Sequence, residues 1–349
     1  MIPKFNKVHN RFQLNGQHYS YEDLKEVSYS LIKEGSPNEK AAGEFLIEWI
    51  SADERILVKT SGSTGKPKNI LLSKQAMVNS AIATGDFFSL NPGSKALHCL
   101  PNDFIAGKMM LVRAMVLGLD LHVVAATSTP IQDSFRQYDF AAMVPLQVEN
   151  SLRYLPNVKT LIIGGAPVSN ELKSKLLKME TQCYETYGMT ETSTHVAVKE
   201  VSKNSQSFKA IPKVSFSNDD RNCLIISAEH LEVNDLVTND VVELINHTQF
   251  NWIGRYDNVI NTGGVKVFPE EIEAKLVGHI QQPYFISSLP DTTLGQQVVL
   301  YIEGEEIEHS STVFDHLSKF EKPKSIIFIP KFARSSSGKI QRGKSIALI

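Results

Sequence analysis

The chain is poor in cysteine: Cys99, Cys183 and Cys223 are the only three in 349 residues. They are odd in number, far apart, and form neither a CxxC pair nor a Cys/His spacing suited to a metal. A disulfide scaffold and a zinc module are therefore excluded, and buried thiols in a reducing compartment are expected. Neither charge is in excess. Lys and Arg number 36, Asp and Glu 38, and the formal net charge is −2. That balance removes the usual case for a nucleic-acid binder, so any anionic ligand must be held by local groups. Long apolar runs are missing too. The best candidate for a span, Met109 to Leu119, is too short and carries Arg113. The opening Met1-Ile2-Pro3-Lys4-Phe5-Asn6-Lys7 has no apolar signal core. A cytoplasmic, soluble protein is expected, with no membrane insertion and no nucleic-acid partner.

What is present fits an ordinary globular mix, 42% hydrophobic and 21% charged, and the length suggests about two domains. Short runs rich in Val, Ile and Leu recur at 56–58, 119–126, 158–163, 224–227, 298–302 and 326–329. Helical patterns lie between them. Ser73 can cap a helix carrying Ala76, Met77, Ala81 and Phe88 near one face, and Ser169 another with Leu172, Leu176 and Met179 inward. Phe268-Pro269-Glu270-Glu271 reads as a helix start that buries Ile272, Leu276 and Val277 and stops at Gly278. Strands mixed with helices predict an α/β (mixed α+β) architecture. A boundary is expected near Ile253–Asn258, dividing a large body, 1–255, from a small domain, 256–349.

The most informative stretch is Thr60-Ser61-Gly62-Ser63-Thr64-Gly65-Lys66-Pro67-Lys68, after the predicted strand Ile56–Val58. Its glycines allow a tight turn, its backbone N–H groups can form an anion-binding nest, and four hydroxyls and two ammonium groups add donors. The combination suits a polyphosphate. It is not a Walker A loop, because only two residues separate the glycines and Pro67 follows Lys66. Gly62–Gly65 formally matches a GXXG clamp, but the neutral charge argues against that use. Ser63-Thr64-Gly65-Lys66 fits SxxK, yet no Ser-Asp-Asn or Lys-Thr-Gly accompanies it. A hydroxyl-rich surface turn is the plain alternative.

Three further segments join this loop. They are Tyr187-Gly188-Met189-Thr190-Glu191; Gly254-Arg255-Tyr256-Asp257 continuing to Gly263-Gly264-Val265-Lys266-Val267-Phe268-Pro269-Glu270-Glu271-Ile272-Glu273; and Ser337-Gly338-Lys339-Ile340-Gln341-Arg342. In this order they resemble the signatures of the adenylate-forming superfamily of acyl-CoA synthetases, adenylation domains and luciferases. The resemblance spans nearly the whole chain except the first fifty or so residues.

It implies that a carboxylate attacks the α-phosphorus of ATP, giving an acyl-adenylate and pyrophosphate, by positioning and charge stabilisation. By resemblance, Thr60–Lys66 and Lys68 hold the β- and γ-phosphates, Thr190 bonds the α-phosphate, and Glu191 binds Mg²⁺. Tyr187 and Gly188, with Gly164-Gly165-Ala166, flank the adenine. Asp240 grips the ribose, although Thr238-Asn239-Asp240 departs from the usual Thr-Gly-Asp, and Arg255 lies near the same sugar. Lys339 stands by the α-phosphate and bridging oxygen. Asp257 is the hinge about which the small domain turns, removing Lys339 and bringing Gly263-Gly264 to the site, where the thiol of CoA attacks.

The Gly-rich loop stands unusually near the N-terminus. Shortness with a full set of signatures resembles the o-succinylbenzoate–CoA ligases of menaquinone synthesis, and Leu100–Arg113 resembles their substrate-side segment. Phe104 stands where the wider family often has His. An aromatic dicarboxylate needs a cation for its second carboxylate, which Arg113 can supply, helped by Lys108; otherwise Arg113 caps a helix or reaches solvent along its stem. Thr192 and His195 are candidate acyl-pocket residues, His195 equally a structural histidine. Two other activities stay open: an adenylation enzyme loading a carrier protein, and a non-catalytic nucleotide-binding regulator. The assembly is open as well, a homodimer among the options.

Overall fold

A computed structural model describes residues 3–59, 69–132, 135–307, 311–334 and 339–349. At its centre five parallel strands lie in the spatial order Asp120–Val123, Lys95–His98, Tyr138–Met143, Val158–Ile163 and Gln182–Gly188. Three of them, Asp120–Val123, Val158–Ile163 and Gln182–Gly188, match apolar runs or a motif read from the sequence; Val158–Ile163 has five of its six residues buried. Such runs are nearly continuous because both faces of a parallel sheet are covered. Phe140, Ala142 and Ile162 enter one core with the helix Ile105–Leu117, whereas Ala141, Met143, Leu161 and Ile163 enter another with the helix Asn170–Leu176.

Past Gln182–Gly188 the sheet turns antiparallel, through His195–Glu200, Phe208–Ala210, Gln249–Arg255, Val233–Asn246, Cys223–Ala228 and Ser215–Asn218. All the parallel strands point their carboxyl ends the same way. That end of an open α/β sheet is where ligands gather, on the loops that leave it. Here those loops are Cys99–Phe104, Gly164–Val168 and Met189–Thr194.

A two-stranded hairpin, Arg55–Lys59 with Asn69–Ser73, closes at the pair Lys59–Asn69. Its connection is the Gly-rich stretch; Thr60, Ser61, Gly62, Ser63, Thr64, Gly65, Lys66 and Lys68 all lie outside the described residues, as do Ser337 and Gly338. The strand Asn69–Ser73 packs beside the 3-10 turn Thr190–Thr192. The Ser73 hydroxyl accepts from the Ala76 N–H and starts the helix Lys74–Phe88, which packs along Ile105–Leu117. The first fifty residues, silent in sequence, form two paired helices, Leu24–Glu34 and Pro37–Ile50. The second buries Phe45, Leu46 and Trp49 in the core of Ile105–Leu117, each side chain contributing about 1.5–3 kcal/mol.

A single 3-10 turn, Tyr256–Asn258, follows the last strand of the large sheet. A smaller sheet then forms from Val265–Val267, Ile260–Thr262, Gly295–Glu303, Tyr284–Asp291 and Ser325–Ile329. Its core of Ile260, Ile272, Leu276, Ile286, Leu300 and Ile302 is separate from those of the large sheet. The helix Pro269–Leu276 lies on it, with Pro269 at its first turn, Ile272 and Leu276 fully buried, and Gly278 just beyond at φ +85°. Among the described residues no helix is long and apolar enough to cross a membrane.

Candidate active site

The strand Gln182–Gly188 delivers Tyr187 and Gly188 to its carboxyl end, and the chain then folds tightly. A Cβ on Gly188 would stand 2.3 Å from the Thr194 carbonyl oxygen and 2.5 Å from the His195 Cα, so only glycine lets the returning backbone pass. Ser193 takes φ +62° although it is buried, a conformation that costs a non-glycine residue free energy and is found where structure around it enforces it. Thr192 is wholly buried; its hydroxyl accepts from the Met189 N–H at 3.1 Å and lies 2.6 Å from the Thr194 carbonyl. It therefore closes the turn instead of lining a pocket, which corrects the expectation made for it. The turn leaves Thr190 half-buried and Glu191 exposed.

Asp240 organises the neighbouring group. It is register partner to Arg255 across two antiparallel strands and is buried. The Tyr187 phenol donates to its Oδ2 at 2.8 Å and the Trp252 indole to its Oδ1 at 3.1 Å, with Arg255 Nη1 3.6 Å from Oδ1. Burial, and then the charge of Asp240, hold the Tyr187 phenol well above its ordinary pKa, so it remains a donor. Arg255 Nη2 also donates to Asp257 Oδ2 at 3.1 Å, and the Asn239 amide reaches both Asp257 oxygens at 3.2–3.3 Å. Asn239 thus ties Asp257 to the large sheet. Lys339 comes to this same place from the far end of the chain. It is half-buried, and burial followed by the charge of Arg255 pushes its ammonium below the usual lysine value. Beside them, Gly164 sits against Thr186 Oγ1, 2.6 Å from where its Cβ would be, and Gly165 turns at φ +83° with Ala166 exposed.

On the other side of the turn lies a buried polar cluster. Arg113, in the middle of Ile105–Leu117, is 1% exposed; it neither caps the helix nor reaches solvent. Its Nη2 donates to Thr194 Oγ1 at 3.0 Å and its Nε to Thr84 Oγ1 at 3.5 Å. No carboxylate lies within ion-pair distance of it among the described residues, and burial pushes its pKa down to about 10. His195 stands between the same hydroxyls, Nδ1 3.3 Å from Thr194 Oγ1 and Nε2 3.4 Å from Thr84 Oγ1. Burial, and then the Arg113 charge, hold it well below its ordinary pKa, neutral. Phe104, half-buried, precedes the helix. A Cβ on Gly107 would fall 2.2 Å from the Pro101 carbonyl oxygen, so the loop Cys99–Phe104 lies flat on the first helical turn.

Lys108 is not part of this cluster. Its ammonium lies 4.9 Å from the centroid of Phe45 and 3.6 Å from Glu48 Oε2, on the helix Pro37–Ile50. The expected help to Arg113 is corrected: five residues of helix turn the two cations to different faces. Gly263 and Gly264 form the two-residue turn of the small hairpin at φ +59° and +82°; Gly263 lies beside Leu294 and Phe320, and Gly264 faces open space. They join none of the hydrogen bonds that link Tyr187, Asp240, Arg255 and Asp257. Thr84, Trp252 and the buried pair His98–Asn102 (2.9 Å) had no motif to announce them; each meets its partner only through the fold.

Against this geometry, the sequence profile of the AMP-binding enzyme family matches residues 16–229. The chain belongs to that family. An acyl-CoA synthetase (AMP-forming)/AMP-acid ligase II-like protein from Dyadobacter fermentans is 34% identical, with 93% of this chain and 98% of that chain covered and a TM-score of 0.62. The 2-succinylbenzoate–CoA ligase of Salmonella typhimurium is 26% identical over 325 residues, 87% of this chain and 71% of its own length. The O-succinylbenzoate coenzyme A synthetase of Bacillus subtilis, in complex with ATP and magnesium ion, shares the fold at a TM-score of 0.79 and 14% identity, with 97% of each chain covered. The ATP and magnesium ion of that complex give the ligand against which this chain's residues can be tested. Glu191 is an exposed carboxylate next to Thr190. A single carboxylate suits an ion that keeps its waters and takes phosphate oxygens.

Proposed function

We propose that this AMP-binding enzyme is an acid–CoA ligase that converts o-succinylbenzoate to o-succinylbenzoyl-CoA. The observation that carries the reading is Arg113: a buried guanidinium without a carboxylate partner among the described residues, hydrogen-bonded to the turn that bears Thr190. An unpaired buried cation costs free energy in the empty protein, and a substrate carboxylate would offset that cost. A diacid has one carboxylate to give to Arg113 and one to be activated. The Salmonella relative carries the name of that activity, which supports the same substrate.

Roles then follow from position. Asp240 would accept the ribose hydroxyls, with Tyr187 and Trp252 fixing its orientation and Arg255 its charge. Gly164, Gly165, Ala166, Tyr187 and Gly188 would border the adenine, and Thr190 would bond the α-phosphate. The loop 60–68 would hold the β- and γ-phosphates. Glu191 would hold Mg²⁺, which when bound neutralises phosphate charge. The free carboxylate attacks the α-phosphorus; the new O–P bond forms as the bond to pyrophosphate breaks. Lys339, its ammonium partly desolvated, would stabilise the charge that builds on the bridging oxygen, where a preorganised cation is most effective. The CoA thiolate then attacks the acyl carbon and AMP leaves.

For that second step we propose that residues 256–349 turn as a unit on residues 1–255 about Asp257, bringing Gly263-Gly264 forward. The orientation with Lys339 beside Arg255 suits the first step. The three unpaired, buried thiols suit a reducing compartment, and the cytoplasm is the location proposed.

A screen of carboxylic acids for AMP release, with and without CoA, tests the reading. AMP release that requires o-succinylbenzoate and is accelerated by CoA is expected. Release with simple monoacids but not with o-succinylbenzoate contradicts the assignment of Arg113, and release unaffected by CoA contradicts the acceptor.

A further inference from the structure

Lys339 needs a fixed backbone, because its four-carbon stem is flexible. Ile340 makes an isolated bridge with Arg334, the Gln341 N–H donates to the Ala333 carbonyl at 2.8 Å, and Ile340 and Ile346 pack against the core of Phe285, Tyr301 and Phe332. An ionic attachment comes one residue after Gln341. Arg342 Nη1 donates to Glu270 Oε1 at 3.0 Å and Nη2 to Glu273 Oε2 at 2.9 Å. The two carboxylates stand three residues apart on one face of Pro269–Leu276, so a forked guanidinium spans them where an ammonium could meet only one at a time.

This clamp reaches the junction between the two sheets. Glu270 Oε1 also accepts from the Asn258 amide at 2.5 Å, next to Asp257. Glu270 Oε2 is buried without a partner among the described residues and lies 2.6 Å from where a Gly254 Cβ would be, so this carboxylate sits on the last strand of the large sheet. The other carboxylate is fixed from the opposite side, Glu273 Oε1 accepting from the Ile286 N–H at 2.7 Å. Asn258, Glu270, Arg342 and Glu273 thus form one chain of contacts from the turn between the sheets to the lysine segment.

We infer that Arg342 is a positioning residue for adenylate formation, holding Lys339 at the nucleotide side by clamping its segment to Glu270 and Glu273 at the junction with the large sheet. It touches neither reactant. Its contribution is the placement of the ammonium three residues away, and the inference rests on the ligase reading above. Loss of the clamp should harm the step that needs Lys339 and spare the one that does not.

The test measures the two half-reactions separately in the full-length protein. One is pyrophosphate exchange with ATP and o-succinylbenzoate; the other is thioester formation from prepared o-succinylbenzoyl-adenylate and CoA. Arg342→Ala should lower the exchange rate about a hundredfold, the usual effect of a catalytic group misplaced by an ångström. The KM for ATP and the thioester rate should stay within about threefold, and the retained thioester rate shows that the variant is folded. Arg342→Lys should recover about tenfold of the loss, one carboxylate being within its reach. Exchange by Arg342→Ala at the wild-type rate, or an equal loss in both half-reactions, overturns the inference and leaves the ligase reading standing. No exchange by the wild-type protein overturns the ligase reading, and the inference with it.

Discussion

Arg113→Met should make the empty protein more stable and the enzyme worse. Burial holds the guanidinium down from 12.5 to about 10, and at 1.36 kcal/mol per pKa unit the charge costs about 3 kcal/mol to keep. Methionine removes that cost and keeps much of the volume. It also loses the hydrogen bonds to Thr194 and Thr84, about 1 kcal/mol each, although both hydroxyls can rotate to His195. The balance is a gain of about 1 kcal/mol, an increase of about 2 °C in Tm for a chain of this size. With substrate the sign reverses, since the second carboxylate enters a buried site with no cation. A loss of about 3 kcal/mol there, within the range for truncating a buried charge pair, raises KM for o-succinylbenzoate roughly a hundredfold. Thermal melts with and without the acid, together with exchange kinetics, give both numbers. Destabilisation by more than about 2 kcal/mol with an unchanged KM would make Arg113 a structural arginine and not the anchor of a substrate carboxylate.

His98 is fully buried, and burial holds its pKa near 4 against 6.5. Below pH 6.5 the unfolded chain takes up a proton that the folded protein refuses until about pH 4. Its share of stability is therefore intact at pH 7.5 and falls by about 2 kcal/mol at pH 5. Urea midpoints should show His98→Gln losing that part of the pH slope; an unchanged slope contradicts the assignment. Gly188→Ala forces backbone apart at the Thr194 carbonyl and should cost about 1–3 kcal/mol and most of the adenylation rate; wild-type melting and kinetics would show that the turn has room. Asp240→Asn should raise KM for ATP at least about tenfold by weakening charge-assisted bonds to the ribose. In a Trp49→Phe background, Trp252 emission should change on adding ATP, because its indole is bonded to Asp240; silence would place the nucleotide elsewhere.

Local chemistry made much of this fold legible. Ser73 and Ser169 accept from Ala76 and Leu172 as helix caps because a hydroxyl three residues before a free N–H needs no tertiary help. The run Val158–Ile163 was visible because a strand covered on both faces cannot alternate. The second N-terminal helix carries a local start signal: Ser36-Pro37-Asn38-Glu39 places proline at the first helical position, and the Ser36 N–H donates to Glu39 at 2.9 Å. Other features had none. Lys108 and Arg113 are equivalent as cations in a sequence, and only the packing of Glu48 and Phe45 sixty residues away separates them. Thr192 looked like a pocket residue because it follows the signature, but its hydroxyl is taken by the turn. Arg342 was visible as the end of a motif, while its partners Glu270 and Glu273 became meaningful only when the small sheet brought two segments together.

We propose that Lys339, carried on the segment that follows the small sheet, completes a nucleotide site built on the large one. Lys339→Ala tests it most directly, in single-turnover formation of o-succinylbenzoyl-adenylate beside a titration of ATP binding. Adenylate formation should fall by about two orders of magnitude or more while the Kd for ATP stays within about threefold. Adenylate formation at the wild-type rate would contradict it, whatever happened to ATP affinity.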